Sequence, residues 1–211
     1  MKITSRLMAR AAFATSVILF VASCTTPDTR HHVVISVPEQ RLALLDEGTL
    51  MATYPISTSK FALSDLPGSR GTPLGELEVA EKVGAGAPLG AVFKSRRRTG
   101  EIIAPDAPGR DPIVTRILWL RGREQQNANA FGRNIYIHGT PEERNIGRPA
   151  SYGCIRMRSR DVIQLYEIVG FGARVSIVNA PLSTMVPALA PETQMAAVAQ
   201  PAQPADDAAA R

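Results

Sequence analysis

The chain is poor in the side chains that carry most protein chemistry. Its 211 residues contain three histidines, two cysteines and one tryptophan, and aromatic residues make up only 5%. Two cysteines cannot build a disulfide framework, and no group of cysteine, histidine and acidic residues has the spacing of a metal site. The sequence contains no phosphate-binding loop motif. The glycine-containing residues 84–88 are interpreted as an ordinary loop. We therefore expect no metal and no nucleotide cofactor.

The chain also lacks an apolar run long enough to span a membrane, which takes about 20 residues. Residues 11–22 form an uncharged, mostly apolar run of twelve, preceded by three basic residues. This pattern is typical of an export signal. The run ends in Val21-Ala22-Ser23-Cys24, which resembles the lipobox of bacterial lipoproteins. That resemblance implies cleavage of residues 1–23 and a lipid on Cys24; an ordinary signal peptide, with Cys24 incidental, is the alternative.

Charge and composition divide the remaining chain. Without residues 1–23, Lys and Arg fall from 24 to 21 against 19 acidic residues, so the net charge is near +2. Export argues against nucleic acid as a partner. The basic run 94–98 is interpreted as a solvated loop, with long-range attraction of anionic ligands as the alternative. Residues 24–31 are predicted to be a tether, with the His31-His32 pair part of a solvated linker. Residues 181–211 are rich in Ala, Pro and Gln, and we expect them to be disordered.

Residues 32–180 have the usual size of one domain, and their pattern is mostly strand. Strands are predicted over residues 33–37, 41–45, 50–56, 77–83, 113–120, 134–138 and 173–178. One helix is predicted from Ser159, as N-cap, to Gly170, since apolar side chains recur at i, i+3, i+4 and i+7 from Val162. Cys154 then lies between the strand that ends at His138 and this helix.

One segment joins a histidine to a cysteine: His138-Gly139-Thr140 precedes Ser151-Tyr152-Gly153-Cys154-Ile155-Arg156-Met157. A thiolate is the reactive form of cysteine, and a nearby imidazole can take the thiol proton and return it to a leaving amine. The positive charge of Arg156, Arg158 and Arg160 is expected to lower the thiol pKa. Gly153 permits a tight turn that aims backbone amides at an oxyanion. The alternative is a buried, inert cysteine.

These elements together resemble the L,D-transpeptidase catalytic domain family of the YkuD type, over about residues 32–179. The matching segments are Gln40-Arg41-Leu42, residues 54–60, Gly71-Thr72-Pro73-Leu74-Gly75, residues 133–140 and the Gly153-Cys154-Ile155-Arg156 step. The resemblance implies a mainly β fold, a YkuD-like β-sandwich with one helix after the cysteine loop. It also implies Cys154 as nucleophile, His138 as base and the carbonyl of Gly139 as the group that orients the imidazole. The amides of Gly153 and Cys154 would line the oxyanion hole.

Three further residues have roles that follow from the same resemblance. Arg156 matches a position that supports the site or holds a substrate carboxylate, with a structural ion pair as the alternative. Ser151 matches a residue that braces the turn or contacts substrate. Tyr152 departs from the family, since most members have a histidine there. A phenol cannot replace an imidazole as a base at neutral pH, so the role of that histidine is lost or reduced to shape and hydrogen bonding.

The implied activity is acyl transfer on peptidoglycan stem peptides. Cys154 would attack a tetrapeptide donor, release D-Ala, and pass the acyl group from a thioester to an amine acceptor, forming 3→3 crosslinks. One alternative is hydrolysis, by an L,D-carboxypeptidase or an enzyme that detaches wall-linked proteins. The other is a non-catalytic wall-binding lipoprotein. The implied place is the cell envelope, facing the periplasm and anchored by lipid; Thr25 after Cys24 resembles an outer-membrane address.

Overall fold

The computed structural model describes residues 26–190, which form a mainly β fold with one α-helix. The strands of this part are β1 (His31–Ser36), β2 (Arg41–Asp46), β3 (Thr49–Pro55), β4 (Gly75–Val83), β5 (Ala91–Lys94), β6 (Arg97–Ile102), β7 (Ile113–Gly122), β8 (Tyr136–Gly139), β9 (Ile155–Met157) and β10 (Arg174–Val178). The helix α1 is Ser159–Ile168, after the cysteine loop. The predicted mainly β class with one helix is confirmed. None of the helices between residues 26 and 190 is long and apolar enough to cross a membrane.

Hydrogen bonds join all the strands of residues 26–190 in one sheet rather than in two separate ones. The main path runs β3-β2-β1-β10-β4-β7-β5-β6, while β8 pairs with β7 and β9 pairs with β8. The β1–β10 and β8–β9 pairs are parallel, and the other pairs are antiparallel. Strand β8 carries His138, and Cys154 directly precedes β9. The β8–β9 branch of the sheet therefore positions the candidate site.

Helix α1 packs against β7 and β8 and closes the main core. The predicted apolar face is buried, with Val162, Leu165, Tyr166 and Val169 each at most 5% exposed. These side chains join apolar residues from most of the strands in a single cluster. Because burial of apolar area is the main favourable term in folding, this cluster fixes the helix, and the strands beneath it, as one rigid support.

The predicted N-cap is off by one residue, whereas Gly170 directly follows the C-cap residue Val169, as predicted for a glycine that ends the helix. The N-cap is Arg158 rather than Ser159, and no side chain of the N-cap residue bonds the first turn. Instead the amide of Ser159 donates to the carboxylate of Glu143 at 2.8 Å, and its hydroxyl accepts from Thr115 at 2.8 Å. The helix ends at Ile168, before Gly170. A carboxylate from a distant loop therefore does the capping, which no local pattern indicates.

The domain continues beyond residue 180, so the prediction of disorder from residue 181 is wrong for residues 181–190. This segment forms two short 3-10 turns, Leu182–Thr184 and Pro187–Leu189. Leu182 and Val186 are each 1% exposed and pack against apolar residues of β1 and β2 that face away from the main core. Two apolar side chains four residues apart are enough to cover that face. The rest of the predicted tail lies outside the described residues.

The predicted tether is also partly structured. His31 and His32 begin β1, and both are half-buried rather than part of a solvated linker. His32 Nε2 lies 2.7 Å from Ser176 Oγ, and His31 Nδ1 lies 2.9 Å from the carboxylate of Asp28. Asp28 also accepts from the amide of Gly170 at 2.6 Å, which pins the segment to the end of α1. The predicted signal peptide, residues 1–23, and Cys24 lie outside the described residues.

The basic run 94–98 is a hairpin between β5 and β6, not a loop. Ser95 and Arg96 form its turn, with φ of 50° and 63°. The Arg96 guanidinium stacks 4.2 Å from the centre of the Trp119 ring and donates to Asn134 Oδ1 at 3.1 Å. Arginine over an aromatic ring is an attractive arrangement, and here it fastens the hairpin to β7 and to the residues ahead of β8. The hairpin tip therefore borders the strand that carries His138.

Candidate active site

The parallel pairing of β8 with β9 brings His138 and Cys154 to the same face of the sheet. Ile137 pairs with Ile155 and His138 with Arg156, and Cys154 directly precedes β9. Side chains alternate along a strand, so Cys154 and Arg156 share the face of His138. His138 on β8 and Cys154, one residue ahead of β9, are thus diagonal neighbours across the two strands. This is the juxtaposition that the sequence motifs indicate.

His138 is buried, with only 5% of its surface exposed, and its ring orientation is fixed. Nδ1 lies 2.8 Å from the carbonyl oxygen of Gly139. A carbonyl only accepts, so Nδ1 carries the proton and Nε2 has the free lone pair. Burial lowers the pKa of His138 to about 4; the Gly139 contact opposes this, and the charge of Arg156 adds to it. The imidazole is therefore a neutral, oriented base at neutral pH.

Cys154 is partly exposed and carries a free thiol. Its Sγ donates to the carbonyl oxygen of Asn134 at 3.3 Å. Burial raises the thiol pKa to about 11, although an amide contact from Tyr136 and the charges of Arg156 and Arg133 act in the opposite direction. Arg156 therefore lowers the thiol pKa as expected, but desolvation outweighs this effect and the net shift is upward. Arg158 and Arg160, also expected to contribute, point to solvent.

The turn ahead of Cys154 depends on Gly153. Its φ is +123°, and an added Cβ would lie only 3.0 Å from the carbonyl oxygen of Gly71. Thr72 Oγ1 donates to the carbonyl of Gly153 at 3.0 Å, so the Gly71-Thr72 turn buttresses the cysteine turn. Any side chain at position 153 would be strained in conformation and crowded by backbone. The glycine therefore allows the cysteine turn to pack tightly against its neighbour.

Ser151 closes the same turn through its hydroxyl group. Ser151 Oγ donates to the carbonyl of Cys154 at 2.5 Å and accepts from the amide of Gly153 at 3.2 Å. Ser151 is fully buried, so its hydroxyl braces the turn. The Gly153 amide, predicted to line an oxyanion hole, is bonded within the turn instead. Of the two predicted oxyanion donors, the Gly153 amide is therefore already engaged by Ser151.

Arg156 takes part in an ion pair with two acidic side chains. Its guanidinium lies 2.6 Å from the carboxylate of Asp111 and 3.9 Å from that of Glu142, and the residue is 8% exposed. A guanidinium held in this way links β9 to two loops, and its charge is already paired rather than free to bind a substrate carboxylate. Of the roles expected for Arg156, the geometry favours support of the site over a contact with substrate.

Several groups at the site have no clear signal in the sequence. Asn134 supplies only its backbone carbonyl to the thiol, which any residue could do, and Asp111 pairs with an arginine 45 positions away. Thr72 belongs to a matched motif, but its contact with Gly153 is visible only in three dimensions. Among residues 26–190, no three histidine, cysteine or acidic side chains group closely enough to hold a metal ion. The described groups can supply a nucleophile, a base and backbone donors.

Tyr152, the residue that departs from the family pattern, is exposed at the surface beside the cysteine turn. It is 54% exposed, and its ring lies 5.3 Å from that of Phe61, tilted by 51°. Its side chain is next to a groove that also involves Arg70, Arg133 and Asn134. The Tyr152 ring is therefore a surface element of this groove, two residues before Cys154 in the chain.

Comparison with known proteins relates most of the chain to one family. The model of the YkuD family, the L,D-transpeptidase catalytic domain, matches residues 30–177. A Bacillus licheniformis protein named as an L,D-transpeptidase, YkuD, is 29% identical over 161 residues, covering 75% of this chain and 73% of its own. Bacillus subtilis YqjB, named likewise, is 30% identical, covering 70% and 71%. Escherichia coli YbiS is 29% identical over 74% of this chain, which spans about half (47%) of that relative.

Solved structures of similar fold have lower identity. L,D-transpeptidase 3 of Mycobacterium tuberculosis, in complex with a faropenem-derived adduct, has a TM-score of 0.47 at 17% identity, covering 70% of this chain and 60% of its own. The L,D-transpeptidase of Xylanimonas cellulosilytica, residues 123–326, has a TM-score of 0.46 at 19% identity, covering 72% and 63%. The present chain therefore spans under two thirds of each of these solved chains.

Proposed function

Because the chain belongs to the YkuD family of L,D-transpeptidase catalytic domains, we propose that it transfers an acyl group of a peptidoglycan stem peptide through a thioester on Cys154. The observation that carries the proposal is the placement of Cys154 and His138 as diagonal neighbours on one face of β8 and β9. The Gly139 carbonyl holds the imidazole so that Nε2 can accept a proton. A thiol, a neutral base and a tightly held turn are the parts that nucleophilic acyl transfer needs.

In the first half-reaction, the sulfur of Cys154 attacks the carbonyl carbon of the bond between the third-position diamino acid and the terminal D-Ala. His138 Nε2 takes the thiol proton as the C–S bond forms, because the high thiol pKa and the low imidazole pKa keep both groups neutral beforehand. The tetrahedral oxyanion receives a hydrogen bond from the Cys154 amide. The C–N bond then breaks, His138 returns the proton to the amine, and D-Ala leaves a thioester behind.

In the second half-reaction, an amine of a neighbouring stem attacks the thioester carbonyl. His138 accepts a proton from that amine, the C–S bond breaks, and the sulfur leaves and regains its proton. The product is a 3→3 crosslink, and the enzyme is restored without a metal or a nucleotide. The Arg156–Asp111 ion pair contributes by holding β9, and therefore Cys154, against β8.

Mass spectrometry of a disaccharide-tetrapeptide incubated with the purified chain tests this proposal. We expect a dimer lighter than two substrates by one D-Ala, preceded by a protein adduct of the substrate minus D-Ala. A disaccharide-tripeptide, which has no terminal D-Ala to release, is the matched control and should give neither species. Tripeptide product without dimer would replace transfer by hydrolysis. Unchanged substrate and unmodified protein would favour a wall-binding lipoprotein without catalysis.

We also propose that the chain is a cell-envelope lipoprotein, anchored through Cys24 and facing the periplasm from the outer membrane. The support is the basic start, the twelve-residue apolar run and the lipobox-like step at residues 21–24. A lipid replaces a transmembrane helix as the anchor and leaves Cys154 as the single free thiol. We expect a Cys24→Ser variant to lose the acyl-chain mass at its N-terminus and to leave the outer-membrane fraction; unchanged mass and fractionation would refute the anchor.

A further inference from the structure

Two aromatic side chains are exposed side by side next to the candidate nucleophile. Phe61 is 50% exposed and Tyr152 is 54% exposed, with ring centres 5.3 Å apart. Two basic residues lie over the same rings, and we call Lys60, Phe61, Arg70 and Tyr152 the Tyr152 cluster. Large apolar side chains exposed together at one place are a common mark of a binding surface.

The cations of the Tyr152 cluster have no acidic partner within residues 26–190. Lys60 Nζ lies 4.8 Å from the centre of the Tyr152 ring, and the Arg70 guanidinium carbon lies 5.6 Å from it. None of the ion pairs in the described part of the chain includes either residue. Arg133 differs, because Asp65 neutralises it at 2.7 Å. The cluster therefore presents two uncompensated positive charges above an aromatic surface.

Backbone contacts fix the cluster relative to the cysteine turn. The amide of Lys60 donates to the carbonyl of Ser151 at 3.1 Å, and Ser59 Oγ donates to the carbonyl of Arg70 at 2.7 Å. That carbonyl and its neighbour at Gly71 also pack directly against Gly153. The backbones of the two basic residues are thus hydrogen-bonded or packed onto the turn that carries Cys154, so the cluster has a fixed place beside that turn.

A groove of about 600 Å³ lies beside the cluster, and its lining includes Arg70, Tyr152 and Asn134. The Asn134 carbonyl accepts from the Cys154 thiol at 3.3 Å, so one wall residue of the groove contacts the candidate nucleophile. This volume is within the range of small-molecule and peptide-binding clefts. A substrate chain whose carbonyl reaches Cys154 therefore has the Tyr152 cluster beside it.

We propose that the Tyr152 cluster is a subsite for a carboxylate of the donor stem peptide, with the apolar part of the peptide against the two rings. This inference rests on the proposed function. Charge favours the donor over the acceptor: the donor has carboxylates near the bond to be broken, whereas the acceptor presents an amine whose protonated form the two cations would repel. Tyr152 then serves in recognition, at the position where most family members have histidine.

Direct binding to a Cys154→Ala variant tests the subsite without any turnover. The probes are the tetrapeptide, the same peptide with its terminal carboxylate as a carboxamide, and the peptide with its upstream carboxylates as carboxamides. We expect one of the two amidated peptides to bind about two- to fivefold more weakly, within the range for an exposed charge contact. With Lys60→Gln and Arg70→Gln added, the unmodified peptide should weaken by about tenfold, and the amidated and unmodified peptides should bind alike.

Matched variants separate recognition from general effects. Tyr152→Ala should weaken binding of all the probes, whereas Tyr152→Phe, which keeps the ring, should not. Arg41→Gln removes an exposed cation on β2 and should leave all affinities unchanged. Thermal melting of each variant shows whether its fold is kept. Equal affinity of the Cys154→Ala protein, with its cluster unaltered, for all three peptides would overturn the proposal.

The outcome of this experiment is independent of the chemistry at Cys154. If the chain forms no thioester but its cluster still discriminates between charged and amidated peptides, the proposed function fails and the subsite stands. If the thioester forms while neither amidation nor the Lys60 and Arg70 substitutions change affinity, the activity stands and the subsite is wrong.

Discussion

Replacing Cys154 with alanine is expected to abolish thioester formation and to lower product formation by about 10⁴-fold or more. Alanine has no nucleophile, so no covalent adduct can form, and backbone donors alone cannot replace it. Cys154→Ser is expected to lose nearly as much, because a hydroxyl is a far weaker nucleophile and the neutral His138 is a weak base for it. Intact-protein mass after incubation with tetrapeptide, together with product quantification, measures both effects.

The fold is the control for this prediction. The Cys154 side chain is small and only partly buried against its neighbours. Its truncation should therefore leave the melting temperature and the far-ultraviolet circular dichroism nearly unchanged. Tyr152→Phe, two residues earlier in the same turn, is a matched variant that should retain adduct formation. If Cys154→Ala still accumulates dimer or a protein adduct, Cys154 is not the nucleophile and the inert-cysteine interpretation returns.

Replacing His138 with glutamine is expected to lower the rate of adduct formation at pH 7 by about 10²- to 10⁴-fold. Glutamine is similar in size and polar, but it cannot accept the thiol proton. The reaction then depends on the small fraction of thiol that is already ionised, because burial holds the thiol pKa at about 11. Single-turnover acylation, followed by intact mass at several times, measures this loss.

The pH profile distinguishes a lost base from a merely disturbed site. In the unaltered chain the imidazole is neutral above its pKa of about 4, and the thiol is protonated below about 11. The acylation rate should therefore be nearly constant between about pH 5 and pH 10. In His138→Gln the rate should rise about tenfold per pH unit up to about pH 11, as the thiolate fraction grows. A variant profile parallel to that of the unaltered chain would contradict the role of His138 as base.

Local patterns were sufficient for much of the fold, including the strand that carries His138. Alternation along residues 134–138 predicts a strand with His138 on its polar side, and the observed strand begins at Tyr136 because Asn134 has a left-handed φ of 59°. The apolar spacing from Val162 predicts the buried face of α1. These features depend on neighbours within a few residues, so the sequence expresses them directly.

The remaining features depend on packing between distant segments. The direction of the Cys154 pKa shift follows from desolvation, which no spacing of arginines reveals. The β5–β6 hairpin was missed because all the residues of β6 are exposed, so the strand has no apolar alternation. The Asp111 partner of Arg156 and the burial of Leu182 and Val186 are likewise consequences of the completed sheet.

The place of β10 in the sheet determines when this chain can fold. β10 follows every other strand in the chain, yet it lies between β1 and β4 in the middle of the sheet. Its pairing joins His32 to Arg174, so the sheet closes only through contacts between residues 142 positions apart. Non-local pairing of this kind slows folding, because the entropy of closing the long loop is lost before the contacts form. During synthesis, which proceeds from the N-terminus, one edge of β1 and one edge of β4 therefore stay unpaired until β10 has been made. Unpaired strand edges expose the partly folded chain to aggregation and proteolysis in that interval.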